Sequence, residues 1–299
     1  MSQIDINSNV KLGGKYKLVI TKPDGSTTET GFMDNLVLNQ GLDLYGEYGI
    51  SCNLFYCQVG TGNTPVNASQ TTLTTYLANV GGGRNSYVNN GSPTWSNSTT
   101  NLYIFAQGAV VGNIAEIGVS TAPTAGLFSR ALIVDDSGNP TTITLTSIDQ
   151  LTVYYVITQV STLTDVTGSV TLGGTSYPYT IRPYNVASNI LFPYYITPYS
   201  VSISDGTATL QPITATGPNG IGCSGGVGTL TQGTYTPGTY SITWSHVMAP
   251  ATALCGNGGI GAIYYNVFNP GYIQVVFSAP IPKTNTQTLT LNWSVSWSA

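Results

Sequence analysis

Apolar and polar residues alternate with a period of two along much of the chain. Examples are Lys15-Tyr16-Lys17-Leu18-Val19-Ile20, Thr142-Ile143-Thr144-Leu145, Leu151-Thr152-Val153-Tyr154-Tyr155-Val156-Ile157 and Thr288-Leu289-Thr290-Leu291-Asn292-Trp293-Ser294-Val295. Successive side chains of a strand point to opposite faces, so this alternation, rich in β-branched and aromatic residues, predicts strands buried on one side. Turn formers interrupt it at short intervals: Pro23-Asp24-Gly25, Asn90-Gly91, Ser137-Gly138-Asn139-Pro140, Gly173-Gly174, Asp205-Gly206 and Pro237-Gly238. The expectation is an all-β fold of β-sandwich or barrel-like domains. Helical spacing occurs twice. Asp34 can cap a short helix carrying Leu36, Val37, Leu44 and Tyr45, which Gly41 weakens, and Ser69 to Leu77 can form one or two turns. The pattern therefore adds one or two short accessory helices.

The charges divide the chain. Eighteen of the twenty lie at or before Arg182, and residues 183–299 keep only Asp205 and Lys283. The later half also carries a Gly-rich run, Gly217 to Gly226, and a Tyr- and Pro-rich stretch, Tyr177 to Tyr199. The expected organisation is an N-terminal β domain over 1–162 and a charge-poor, Gly/Tyr-rich β domain over 163–299. A faint echo between Asn139–Leu145 and Asn285–Leu291 is explained by shared strand composition.

Charge then narrows the classes of function. Only 7% of residues are charged, against roughly 25% in an average soluble domain. Each charge would serve on the order of 600 Å² of a compact monomer's surface, so most of the exterior is neutral or covered by partners. Twenty Tyr, seven Phe and four Trp at a net charge of −4 exclude disorder. Eight cations against twelve carboxylates cannot form a basic stripe, which excludes nucleic acid as a partner. Met1 to Asn7 lacks the apolar core of a secretory signal, and no stretch reaches the roughly 20 apolar residues of a membrane span. The expectation is cytosolic synthesis, and with it free thiols at Cys52, Cys57, Cys223 and Cys255. Cys52 and Cys57 would point to opposite faces of a strand. Cys223 and Cys255 lie in Gly-rich loops, where a bridge is geometrically open but unsupported by spacing.

Candidate chemistry is thin. His246 is the only histidine, which argues against zinc, and no GxSxG elbow accompanies it. Asp135, Asp136, Asp149 and Glu116 are the carboxylates from which a hydrolytic pair would be drawn. Asp135-Asp136-Ser137-Gly138-Asn139 has the composition of a strand-connecting turn, with a calcium loop as the less favoured reading. Gly60-Thr61-Gly62-Asn63 and Gly81-Gly82-Gly83 lead into no helix with a phosphate-binding Lys. No catalytic residue, metal or cofactor is expected, and the chain reads as a non-enzyme. Glu116 and Arg130 lie in adjacent apolar strand candidates and in a hairpin would form a partly buried charged pair holding register; the alternative is two solvent-facing charges. Lys11, Lys15, Lys17 and Lys22 either guard an edge strand or dock onto an acidic neighbour. Tyr177, Tyr179, Tyr184, Tyr194, Tyr195 and Tyr199 either stack on a host glycan or pack between subunits as a Pro-stiffened arm.

In order along the chain, Asn35-Leu36-Val37-Leu38-Asn39-Gln40-Gly41-Leu42-Asp43, Val59-Gly60-Thr61-Gly62-Asn63-Thr64-Pro65, Glu116-Ile117-Gly118-Val119, Leu127-Phe128-Ser129-Arg130-Ala131 and Asp149 to Tyr155 resemble tail-fibre or minor tail proteins of tailed bacteriophages. Asp165-Val166-Thr167-Gly168 and Ile281 to Thr286 extend the resemblance, while Arg182 to Phe277 falls outside it. The resemblance implies a structural virion protein made in the host cytoplasm and acting as a homo-oligomer, a trimer, docked to other virion proteins. It supplies no catalytic residues. A receptor- or carbohydrate-binding tip contacting a host surface glycan, and a capsid decoration or head-fibre protein, are the alternatives.

Overall fold

The computed structural model describes residues 7–48, 54–90, 95–161, 164–184, 200–213, 215, 217–266 and 272–299. Strand accounts for 55% of the described residues and helix for 4%, so the fold is all-β. In chain order the elements are β1 (Asn7–Thr21), β2 (Thr27–Glu29), β3 (Met33–Asp34), β4 (Leu36–Val37), α1 (Asn39–Tyr48), β5 (Tyr56–Gly60), β6 (Tyr76–Asn90) and β7 (Trp95–Phe105). There follow β8 (Gly112–Ile114), β9 (Glu116–Ser120), β10 (Leu127–Leu132), β11 (Ile143–Leu145), β12 (Gln150–Ser161), β13 (Val166–Leu172) and β14 (Thr175–Tyr184). The last are β15 (Ser200–Asp205), β16 (Thr229–Gln232), β17 (Ser241–Met248), β18 (Ile260–Asn266), β19 (Tyr272–Ile281) and β20 (Leu289–Ser298).

The chain forms two compact units. The N-unit comprises Lys11–Val88, Asn97–Val160 and Trp297–Ala299; the C-unit comprises Met1–Val10, Asn89–Ser96 and Ser161–Ser296. Most of the range expected as 163–299 thus lies in the C-unit.

In the N-unit the strands run in the order β1-β12-β7-β6-β5-β9-β10-β4, with β2 and β3 antiparallel on β1 and a separate β8–β11 ribbon. The alternation sets which side is buried: Tyr16 and Leu18 of β1, Tyr103 and Phe105 of β7, and Leu151, Val153 and Tyr155 of β12 all turn inward. Among the described residues there is one helix, α1, packed on β10. It begins at Asn39 rather than Asp34, because Met33–Asp34 and Leu36–Val37 are drawn into pairing with β1 and β10. Gly41, unfavourable for helix propensity, is what lets α1 approach: a Cβ there would run into the Phe128 carbonyl. The expected second helix over Ser69 to Leu77 is absent. The side chain of Asn67 accepts the Ser69 N–H and hydroxyl at 2.9 Å each, making a local turn, and the Thr74 and Thr75 N–H groups are taken by a carboxylate described below. Tyr76 and Leu77 begin β6.

The C-unit holds a five-stranded antiparallel sheet in the order β13-β14-β19-β18-β15, and a ribbon β16-β17-β20. Tyr184, Ala262, Tyr264 and Val276 form one core cluster of the sheet. In the ribbon, Trp244 stands opposite Trp293 and their rings stack at 4.5 Å, with Tyr265 next in line at 5.2 Å from Trp293. β13 and β14 are joined by Gly173-Gly174 alone, both at positive φ (56° and 84°), the tight hairpin turn that only glycine adopts freely at two successive positions.

Candidate functional site

Among the described residues several buried polar groups tie irregular chain to the sheets. The first to consider is in the N-unit. β9 and β10 pair with Glu116 opposite Leu132 and Gly118 opposite Arg130, so Glu116 and Arg130 sit on a diagonal of one face. Both are fully buried. Arg130 donates Nε to Glu116 Oε2 at 2.8 Å, and its Nη2 lies 2.7 Å from the same oxygen. Its remaining donors reach Gln70 Oε1 at 2.9 Å and Thr64 O and Thr74 Oγ1 at 3.0 Å. Glu116 in turn accepts from Gly62 N at 3.1 Å, Thr75 N at 2.7 Å and Thr74 N at 3.0 Å. The pair is therefore solvated by the loop 61–75, which has no regular secondary structure, and it fixes that loop to the hairpin. With both carboxylate oxygens engaged by fixed donors, the arrangement positions backbone and leaves no lone pair aimed at a substrate.

Three of the four lysines near the N-terminus are engaged within the N-unit. Lys15 lies 3.3 Å from Asp34, opposite it in the β1–β3 register, and Lys17 lies 2.8 Å from Glu29 and over the Tyr154 ring. Lys22 reaches the buried Asp149 at 2.9 Å. That contact, with the Thr146 N–H and hydroxyl, holds the Asp149 carboxyl down at about 2. Lys11 is exposed on β1. Lys15, Lys17 and Lys22 each have an acidic partner in their own unit.

The tyrosines divide in the same way. Tyr179 and Tyr184 are buried, their rings edge-on to Phe277 at 6.3 Å and Tyr264 at 5.3 Å, so neither offers a face to a glycan. Tyr177 is half-buried on β14. Tyr194, Tyr195 and Tyr199 lie outside the described residues.

The C-unit contains further buried polar groups and a disulfide. Cys223 and Cys255 form a disulfide with Cα atoms 4.4 Å apart, correcting the expectation of free thiols. The reason is local pairing: Ser224 and Leu254 exchange backbone hydrogen bonds of 2.9 and 3.0 Å, which brings the adjoining cysteines side by side although 32 positions separate them. Cys57 is a free, buried thiol whose titration burial pushes up. The same loops are gathered by Asp205, which accepts from Thr207, Ile221 and Asn257; the Thr207 hydroxyl leads in lowering its carboxyl to about 2. Lys283 donates to the carbonyls of Ala249 at 2.7 Å, Pro250 at 3.4 Å and Thr252 at 2.6 Å, and burial lowers its pKa. His246 is buried between Val227 O, 2.7 Å from Nε2, and the Tyr265 hydroxyl, 3.0 Å from Nδ1. A carbonyl only accepts, so Nε2 carries the proton and Nδ1 accepts from Tyr265. Desolvation lowers the His246 pKa.

Sequence reading found Glu116 and Arg130 but missed Asp205, Lys283 and the loop donors. Asp205 and Lys283 did carry a signal, as the two charges left in an otherwise neutral half. A shallow cavity of about 590 Å³ in the N-unit has Met33, Ile133 and Ile143 in its lining, with Glu29, Asp34, Asp135 and Asp136 among its polar groups. Asp135 is occupied by the Ser137 and Asn139 N–H groups at 2.9 Å, which lower its pKa and keep it ionised; it is a turn residue there. Among the described residues no three His, Cys, Asp or Glu side chains are grouped to hold a metal ion, and no helix is long and apolar enough to cross a membrane. No protein-family model, no curated protein and no solved structure matches this chain.

Proposed function

We propose that this chain is a structural virion protein of a tailed bacteriophage, a tail or tail-fibre subunit that works by assembly and docking. The observation that carries the proposal is how the buried charges are used. Glu116 with Arg130, Asp205 and Lys283 each hold loop backbone in place, their charged atoms engaged by that backbone. A neutral, strand-rich surface held rigid in this way suits packing among neighbouring subunits. The ordered motifs of the sequence that resemble those of tail proteins suggest the particular setting.

Gold-labelled antibody against the chain, applied to purified particles from cells that carry its gene, should mark the tail. Label on the head would move the assignment to a head fibre or decoration protein, and particles without the chain would overturn the proposal. A receptor-binding role is the second reading, favoured by the loop 61–75. Fixed by Glu116 and Arg130, the loop exposes Asn63, Asn67, Ser69, Thr71 and Thr72, a neutral hydrogen-bonding surface suited to a glycan.

A further inference from the structure

We propose that Cys223 and Cys255 form a thiol–disulfide exchange site, opened and closed in the folded protein by low-molecular-weight thiols and disulfides such as glutathione, whose closure clamps the two loops it joins. Both cysteines are half-buried, whereas Cys57 is fully buried. Their neighbours Gly222 and Gly256 are exposed and have no side chain with which to cover a sulfur. The chain on either side of each cysteine is held by contacts that do not use the sulfurs. Ser224 and Leu254 exchange backbone bonds of 2.9 and 3.0 Å, Ala253 N donates to Gly226 O at 2.9 Å, and Cys223 N donates to Ile203 O at 3.2 Å. Asp205 accepts from Ile221, two positions before Cys223, and from Asn257, two positions after Cys255. Lys283 grips the carbonyls of Ala249 and Thr252 on the approach to Cys255.

Those contacts remain when the S–S bond is broken, so the two thiols stay neighbours in the reduced protein. Their Cα atoms are 4.4 Å apart, inside the span of roughly 4.4–6.8 Å that a disulfide bridges. Closure then needs no search by the chain, and the second thiol acts at the high effective concentration of a tethered reactant. In the closing direction the thiolate of one cysteine attacks a sulfur of glutathione disulfide and releases one glutathione thiolate. The thiolate of the other cysteine attacks the protein sulfur of that mixed disulfide and releases the second. One protein disulfide forms, one glutathione disulfide is reduced to two thiols, and the protons of the two cysteines pass to the released thiolates. Exchange with two glutathione thiols runs the same steps backward and opens the site. A compartment rich in reduced thiols holds it open, and an oxidising one holds it closed. The change is local: residues 217–228 and 249–259 keep their hydrogen bonds and lose the covalent stop to their opening.

The site does not depend on the virion assignment, and the intact protein tests it without denaturant. Reduced glutathione followed by iodoacetamide, read peptide by peptide in the mass spectrometer, should label Cys223 and Cys255 together. Their labelling should run at least about tenfold faster than that of Cys57, which burial keeps protonated and out of reach. Glutathione disulfide should then restore the bridge through a transient glutathione adduct on one of the two cysteines. In the reduced protein hydrogen exchange should quicken in residues 217–228 and 249–259 while β9 and β10 keep their protection. Cys255→Ser should retain a glutathione adduct on Cys223, because the thiol that would displace it is gone; the parent's labelling decides the matter whether or not this variant folds. A bridge that reacts only once urea unfolds the chain, labelling of Cys223 and Cys255 that merely keeps pace with Cys57, or a reduced protein whose loops exchange no faster overturns the site.

Discussion

Arg130 illustrates what a buried ion pair does at the scale of one residue. Its partner Glu116 serves three backbone N–H groups as well as the guanidinium, so the two side chains are not equivalent. Removing one member of such a pair commonly costs about 3–5 kcal/mol, because the other charge is left unpaired away from water. Arg130→Met should therefore unfold at markedly lower urea than the parent. Glu116→Leu should be worse, since it also orphans the N–H groups of Gly62, Thr74 and Thr75, each costing roughly 1–3 kcal/mol. The double variant should not recover stability, unlike a simple pair replaced by apolar residues. Equal stability of Arg130→Met and parent would mean the loop, not the pair, holds the register.

At the scale of elements, the loops of the C-unit depend on a covalent link. The Cys223–Cys255 bridge closes a segment of 32 positions, and chain-entropy reasoning gives such a closure about 3–4 kcal/mol. Replacing both cysteines by serine should lower the stability of the C-unit by an amount of that order. Hydrogen exchange should quicken at Ser224 and Leu254, whose backbone bonds flank the bridge, while α1 and the β9–β10 hairpin keep their protection. Quickening throughout the chain would show that the bridge supports more than these loops. The same scale shows why one helix formed and the other did not. α1 has a cleft made for Gly41 and a tryptophan, Trp297, whose indole donates to Leu42 O at 2.9 Å. Ser69 to Leu77 has no such anchor, and its N–H groups find a better acceptor in Glu116.

For the whole molecule the scarcity of charge makes pH dependence easy to apportion. Asp149 in the N-unit and Asp205 in the C-unit are both held at about 2, below an ordinary 3.8. As pH falls through about 4 the unfolded chain takes up these protons first, so stability is complete above that pH and declines progressively toward pH 2. His246 adds an earlier step of the same sign: its folded pKa lies below 6.5, so its contribution is complete above that value and falls as pH drops below it. Urea titrations from pH 8 to 2 should show both declines. His246→Gln should remove the upper one, and Asp149→Asn or Asp205→Asn should flatten the lower one while reducing stability at pH 7. A profile that is level between pH 8 and 4 would place His246 outside the stability balance.

The sequence by itself determined the all-β class and the inward face of many strands. In β20 the buried positions Leu289, Leu291, Trp293, Val295 and Trp297 follow the alternation residue by residue, because a strand's period of two is a property of its own backbone. It also marked Glu116 and Arg130, since a charge inside an apolar strand stands out locally. What tertiary structure decided are the choices made between distant segments: the start of α1, the loss of a helix at Ser69, the partners of Lys15, Lys17 and Lys22, the burial of Tyr179 and Tyr184, and the Cys223–Cys255 bond. In each of them a residue satisfies a donor, a charge or a ring face with a group many positions away. The energy of that contact outweighs the local preference, and no local pattern records which distant partner it will be.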